Sequence, residues 1–147
     1  MHTKIERALE HISFLSQHFK RSETKYIVLI VMLDMDFPTK YDGFEYLEKS
    51  ICLYSDDPGD VIVNGLYRSV AKLYGGKVAE QQIEQSIRSV INAAWKRRDP
   101  AIWGKYFDEE ELQAKPSNAE LITRLARLVE LWKGCCEISQ GSKEGAV

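Results

Sequence analysis

Within residues 79–95, "AEQQIEQSIRSVINAAW", one set of side chains can form directed hydrogen bonds in numbers, and it recurs at helical spacing. Gln81, Gln85, Arg88 and Asn92 follow one another at steps of four, three and four, with Gln82 and Glu84 beside them. Gln and Asn amides can bond bidentately to adenine, an Arg guanidinium can do so to guanine, and a Glu carboxylate can accept from the amino group of cytosine. Ile83, Ile87, Val90, Ile91 and Ala94 fall on the opposite side of the same helix. A helix of this kind is held from behind by its apolar stripe and offers its amides outward. The bland reading of the polar face is plain solvent contact on a bundle helix.

Charge favours a polyanion as the thing touched. The chain carries 20 Lys and Arg against 22 Asp and Glu, a net charge of −2. Between residues 66 and 98, however, the balance is +5, so the remainder is at −7. A basic segment in an acidic chain is the electrostatic footprint of nucleic-acid binding. Lys72, Lys77, Lys96, Arg97, Arg98 and, further on, Lys115 are the candidates for phosphate contacts. Most affinity for DNA comes from such contacts, whereas base contacts specify sequence.

These side chains need a scaffold, and the rest of the sequence supplies a helical one. Four prolines and nine glycines in 147 residues leave room for long regular elements. Residues 26–33, "YIVLIVML", are β-branched enough for a buried strand. No other strand-like run exists to pair with them, and a lone strand leaves its backbone unsatisfied; a buried helix ending before Pro38 is the better expectation. Phe44, Leu47, Ile51 and Tyr54 share one helical face. Residues 56–59, "DDPG", form a turn, and a helix bent near Gly65, or two short ones, follows to the break at Gly75–Gly76. Pro100 stops the 79–95 helix. Residues 101–107 make a short helix and 108–111, "DEEE", a solvated face or loop. Ser117 with Glu120 three residues on is a capping box. It opens a last helix with Leu121, Leu125, Leu128 and Trp132 as its stripe, ending near Cys135. Residues 137–147 read as a flexible tail.

At the other end, Ile5, Ala8, Ile12, Leu15 and Phe19 form a stripe on an amphipathic helix over residues 3–20. Its heptad-like spacing suits packing on the body or pairing with a second chain as a homodimer. The fold expected is all-α: a single domain of six to seven helices over residues 23–136 containing a helix-turn-helix, with the extra N-terminal helix at 1–22. In the helix-turn-helix layout the second helix lies in the major groove, and 79–95 follows a short helix and a glycine turn in that manner.

Other chemistries find little support. His2, His11 and His18 lack a metal-ligand spacing. Cys135, Cys136 and Glu137 have only Lys133 nearby to activate a thiol. There is no phosphate-cradling glycine loop or nucleophile motif. No cofactor, metal or enzymatic activity is expected. Three cysteines make no disulfide framework. The longest apolar run, eight residues, is too short for a membrane span. No signal peptide opens the chain, so a cytoplasmic location is the default.

Residues 43–51 ("GFEYLEKSI"), 66–74 ("LYRSVAKLY"), 83–95 ("IEQSIRSVINAAW") and 115–122 ("KPSNAELI") together resemble the C-terminal effector domain of the sporulation initiation protein A family, in order and in spacing. The resemblance spans roughly residues 26–132. It implies an all-helical DNA-binding domain that recognises short promoter boxes, often in tandem, and contacts the sigma subunit of RNA polymerase. By position, the family's reading helix falls on 79–95. Of the positions that carry its Arg, Glu, Arg and Arg, held here by Gln82, Glu84, Gln85 and Arg88, only Glu84 and Arg88 match in type. The turn from Gly75 to Val78 is about two residues longer than the family's. Family members carry a phosphoacceptor receiver domain ahead of this one. Here only about 25 residues precede the match, and the N-terminal helix is expected to provide the dimer contact in the receiver's place. The competing expectation is a diverged relative that no longer reads bases and serves as a protein-interaction module.

Overall fold

The computed structural model describes residues 24–56 and 63–145, with side chains described between residues 24 and 134 except at 57–64. The N-terminal stripe of Ile5, Ile12, Leu15 and Phe19, and the dimer contact expected of it, lie outside the described residues. Among the described residues six α-helices follow one another: α1 (Thr24–Asp34), α2 (Asp42–Asp56), α3 (Val63–Leu73), α4 (Glu80–Lys96), α5 (Pro100–Trp103) and α6 (Asn118–Gly145). A 3-10 turn at Glu111–Gln113 lies within the acidic stretch between α5 and α6. No strand occurs among the described residues, so the 26–33 run is indeed a helix.

The core is one cluster. Ile83, Ile87, Val90, Ile91 and Ala94 of α4 enter it together with Leu47 and Ile51 of α2, Leu66 and Val70 of α3, and Leu121, Ile122 and Leu125 of α6, all essentially without solvent contact. Helix α2 passes behind α4 at close range. A β-carbon built on Gly43 would lie 2.0 Å from the backbone oxygen of Ser86 and 2.5 Å from its carbonyl carbon. Only a residue without a side chain permits that approach.

Two helices end in the same way. After α1, the amide of Phe37 donates to Met32 O at 3.0 Å and that of Asp36 to Leu33 O at 3.1 Å, with Asp36 at φ 64°. After α3, Gly76 donates to Ala71 O at 3.3 Å and Gly75 to Lys72 O at 3.0 Å, with Gly75 at φ 65°. Both are left-handed caps that satisfy carbonyls left open at a helix end. Glycine occupies the second without strain, and aspartate is among the few other residues that tolerate the first.

Pro100 does two jobs. It halts α4, and it stands at the first position of α5, where Asp99 Oδ1 accepts from the Ala101 amide at 2.9 Å. Trp103 then packs at the centre of an aromatic group, 5.9 Å from Phe37, 5.6 Å from Trp95 and 6.1 Å from Phe107, ring centre to ring centre. Its indole N–H donates to Met35 O at 3.2 Å, so burial leaves no polar group of this side chain unpaired. At α6 the Glu120 amide donates to Ser117 Oγ at 3.1 Å, the bond expected of a capping box. Helix α6 continues to Gly145, past the end near Cys135 read from its stripe.

Candidate nucleic-acid interface

Helix α3, the turn through Gly75 and Gly76, and helix α4 stand in succession. Ala79, extended at φ −77° and ψ 150°, starts α4 without a side-chain cap. Gln81, Gln82, Gln85 and Arg88 are exposed, and Glu84 and Asn92 are half-buried. The polar face read from the sequence therefore points outward as a continuous strip, and the isoleucines behind it are fully buried.

Not every polar group on that strip is idle. Arg88 Nη2 is paired with Glu84 Oε1 one turn earlier, and Lys115 Nζ reaches Asn92 Oδ1. An exposed pair of the Arg88–Glu84 type is worth only about 0.3–0.5 kcal/mol, against about 1–3 kcal/mol for a bidentate contact to a base. The pair can therefore hold Arg88 in place without preventing it from engaging a ligand. Arg68 Nε pairs with Glu80 Oε1 at 3.2 Å, linking α3 to the start of α4.

The phosphate candidates divide into two groups. Lys72, Lys77 and Lys96 are exposed, at the end of α3, in the turn and at the end of α4, and have no ion-pair partner among the described residues. Arg97 is engaged: its Nε donates to Asp36 O at 2.9 Å and its Nη2 to Asp36 Oδ1 at 3.0 Å. It thus braces the left-handed turn after α1. Arg98 sits over the Trp95 ring, its Cζ 3.6 Å from the ring centre, and donates to Trp95 O at 2.7 Å. Both arginines remain at the molecular surface with part of their donor capacity in use.

A groove of ≈ 850 Å³ runs between α4 and the start of α6, with Tyr67, Arg68, Gln81, Glu84, Arg88 and Lys115 among its walls. Its floor is fastened by a residue to which the spacing of the sequence assigns no role. Asn118 Nδ2 donates to the Glu84 backbone oxygen at 3.0 Å and to Tyr67 Oη at 3.2 Å. One amide thereby joins the beginning of α6 to both α3 and α4. Burial raises the pKa of Tyr67, opposed by the bond from Asn118 and by the charge of Arg88, so its hydroxyl stays protonated at neutral pH. Gly43 and Asp36 escape a reading of the sequence in the same way. Each acts through a long-range neighbour, and local spacing says nothing about such partners.

Among the described residues no group of three or more His, Cys, Asp or Glu side chains could hold a metal ion, and no helix is long and apolar enough to cross a membrane. Cys52 sits half-buried on α2, and its thiol is pushed up to about 12 by burial first, then by Glu48 and Asp56. That is the opposite of an activated nucleophile.

An all-helical domain with an outward amide-rich helix, a glycine turn ahead of it and lysines at its ends has the attributes of the helical DNA-binding domains. Residues 28–129 match the family described as sporulation initiation factor Spo0A C terminal, and the chain belongs to that family. It is a family of DNA-binding regulatory domains, the effector part of a sporulation response regulator, and not one of enzymes.

Proposed function

We propose that this chain is a sequence-specific regulator of transcription that reads double-stranded DNA through the major groove with α4. Gln81, Gln82, Glu84, Gln85 and Arg88 meet base edges. Lys72, Lys77 and Lys96 hold the phosphates, with Arg97, Arg98 and Lys115 adding charge at the margin. The observation that carries the reading is the exposed amide strip on α4 together with Lys72 at the end of α3, Lys77 in the turn and Lys96 at the end of α4, which form no ion pair among the described residues. Contact with the sigma subunit of RNA polymerase is proposed with it, on the family relationship.

A second reading has one feature in its favour. Where the family's reading helix carries arginines, this chain has Gln82 and Gln85, and the remaining Arg88 is already paired to Glu84. A domain that had given up base readout and kept only protein contacts would look the same there.

Selection of random duplexes by the full chain at near-physiological salt separates the two. Enrichment of one motif is expected. Weak, salt-sensitive binding with no enriched motif would instead identify a protein-interaction module. On the selected duplex, replacing Lys72, Lys77 and Lys96 with alanine should flatten the plot of log affinity against log salt by about 0.9 for each phosphate that is no longer neutralised.

A further inference from the structure

The buried residues of α4, Ile83, Ile87, Val90, Ile91 and Ala94, fix which way the helix is turned. At about 100° per residue they centre on one direction, and Gln85 lies within about 10° of the direction opposite. Gln85 therefore stands on the crest of the outward face. It is exposed and has no hydrogen-bond or ion-pair partner among the described residues. Its neighbours on the strip are placed or occupied otherwise. Arg88 lies about 60° round from the crest. It pairs there with Glu84, and both line the groove beside α6, which Gln85 does not. Asn92 is engaged by Lys115, and Lys96 is the last residue of α4. Ser89 is exposed near the crest, but a hydroxyl serves any base.

The geometry points to Gln85 as the residue that fixes base identity at the centre of the contacted box, by selecting adenine. Selection of adenine by Gln85 rests on the reading that α4 lies in the major groove, and it says which base the helix takes there. A helix seated with its buried side toward the protein sets its crest over the base edges and its flanks toward the phosphates. A side-chain amide carries an N–H donor and a carbonyl acceptor side by side. Adenine presents the complement in the major groove, its N7 acceptor beside the N6 amino donor. Guanine presents two acceptors, N7 and O6, so one of them would face the amide oxygen with no proton between them. The guanidinium of Arg88 carries donors only and suits guanine. Three residues of helix separate Gln85 from Arg88, about 4.5 Å of rise against about 3.4 Å between stacked base pairs. The two side chains therefore meet different base pairs, one or two steps apart.

Selection of random duplexes by the full chain, unaltered and as Gln85→Arg and Gln85→Ala, tests it. The unaltered chain is expected to enrich a motif with adenine one or two base pairs from the position that Arg88→Ala relaxes. In Gln85→Arg that adenine alone should become guanine, and in Gln85→Ala that position alone should lose its preference. A gain of preference for guanine cannot arise from misfolding. On the selected duplex, changing the adenine to guanine should weaken the unaltered chain by about 5- to 150-fold and Gln85→Ala hardly at all. Replacing the adenine with 7-deazaadenine, which lacks the N7 acceptor, should weaken the unaltered chain by about fivefold, the loss of one hydrogen bond. Gln85→Ala should not distinguish the two bases, a result that a merely structural role for Gln85 would not give. A motif that is enriched by the unaltered chain and keeps its identity at every position in both variants overturns selection by Gln85 and leaves base readout by α4 standing. So does a Gln85-dependent position that holds any base but adenine. No enriched motif at all overturns the readout by α4, and selection by Gln85 with it.

Discussion

Replacing Gly43 with alanine puts two effects of opposite sign in competition. Gly43 is the second residue of α2, and alanine is a better helix former by about 0.5–1 kcal/mol, so helix propensity alone predicts a more stable protein. Against that, the new β-carbon would stand 2.0 Å from Ser86 O, where ordinary contact begins at 3.4 Å. The shortfall is 1.4 Å, and the obstacle is the α4 backbone, which has no rotamer to change. Helices α2 and α4 would have to separate by about that distance. A gap of even 0.5–1 Å forfeits about a quarter to a half of the dispersion energy of the atoms facing each other across it. Overpacking against a rigid neighbour costs about 1–3 kcal/mol, and this contact belongs at the upper end of that range. The net expectation is a destabilisation of about 2 kcal/mol, or a fall of roughly 5–10 °C in Tm for a domain of this size. A thermal melt followed by the helical circular dichroism signal measures it. Because α4 is displaced, affinity for a selected duplex should fall as well. An unchanged or raised Tm would refute the reasoning, since it would mean that α2 does not brace α4 at this point. Gly75→Ala is the control: nothing lies within 4 Å of its β-carbon, so only the left-handed φ of 65° should cost. That cost is about 1–2 kcal/mol.

Three further outcomes are expected. Arg88→Ala should weaken the selected duplex by about 1–3 kcal/mol and relax preference at one base pair, while stability moves by no more than about 0.5 kcal/mol; an unchanged binding profile in electrophoretic shift assays would show that Arg88 touches no base. Asn118→Ala removes the two bonds that join α6 to α3 and α4, and urea unfolding should report a destabilisation of about 1–2 kcal/mol, with an unaltered midpoint ruling out the clamp. Cys52 and Tyr67 both have folded pKa values above their ordinary 9.0 and 10.0. The stability associated with their protonated forms is therefore complete below those ordinary values and declines as pH rises through the raised ones, about 12 for Cys52; the urea midpoint should fall between about pH 9 and 11, and one that stays constant there contradicts these burials.

The all-helical class and the division of α4 into a buried and an exposed side were legible in the sequence, because both follow from the 3.6-residue period of the helix and from the absence of any second strand for residues 26–33. So were the cap at Ser117 and the break at Gly75–Gly76, each set by the residue's own backbone preference or by neighbours three or four positions away. The end of α6 was not, since the helix runs to Gly145 whereas a stripe of apolar residues marks only the extent of one face and not of backbone hydrogen bonding. The close approach at Gly43, the clamp at Asn118 and the diversion of Arg97 to Asp36 were decided only in three dimensions. They join residues 43 and 86, 118 and 67, 97 and 36, and a pattern that repeats within a few residues carries no information about which distant side chain folding will bring alongside. What the chain could specify alone was which groups are presented. How firmly each is held, and which cations remain at liberty to meet a phosphate, depended on the packing of helices far apart in sequence.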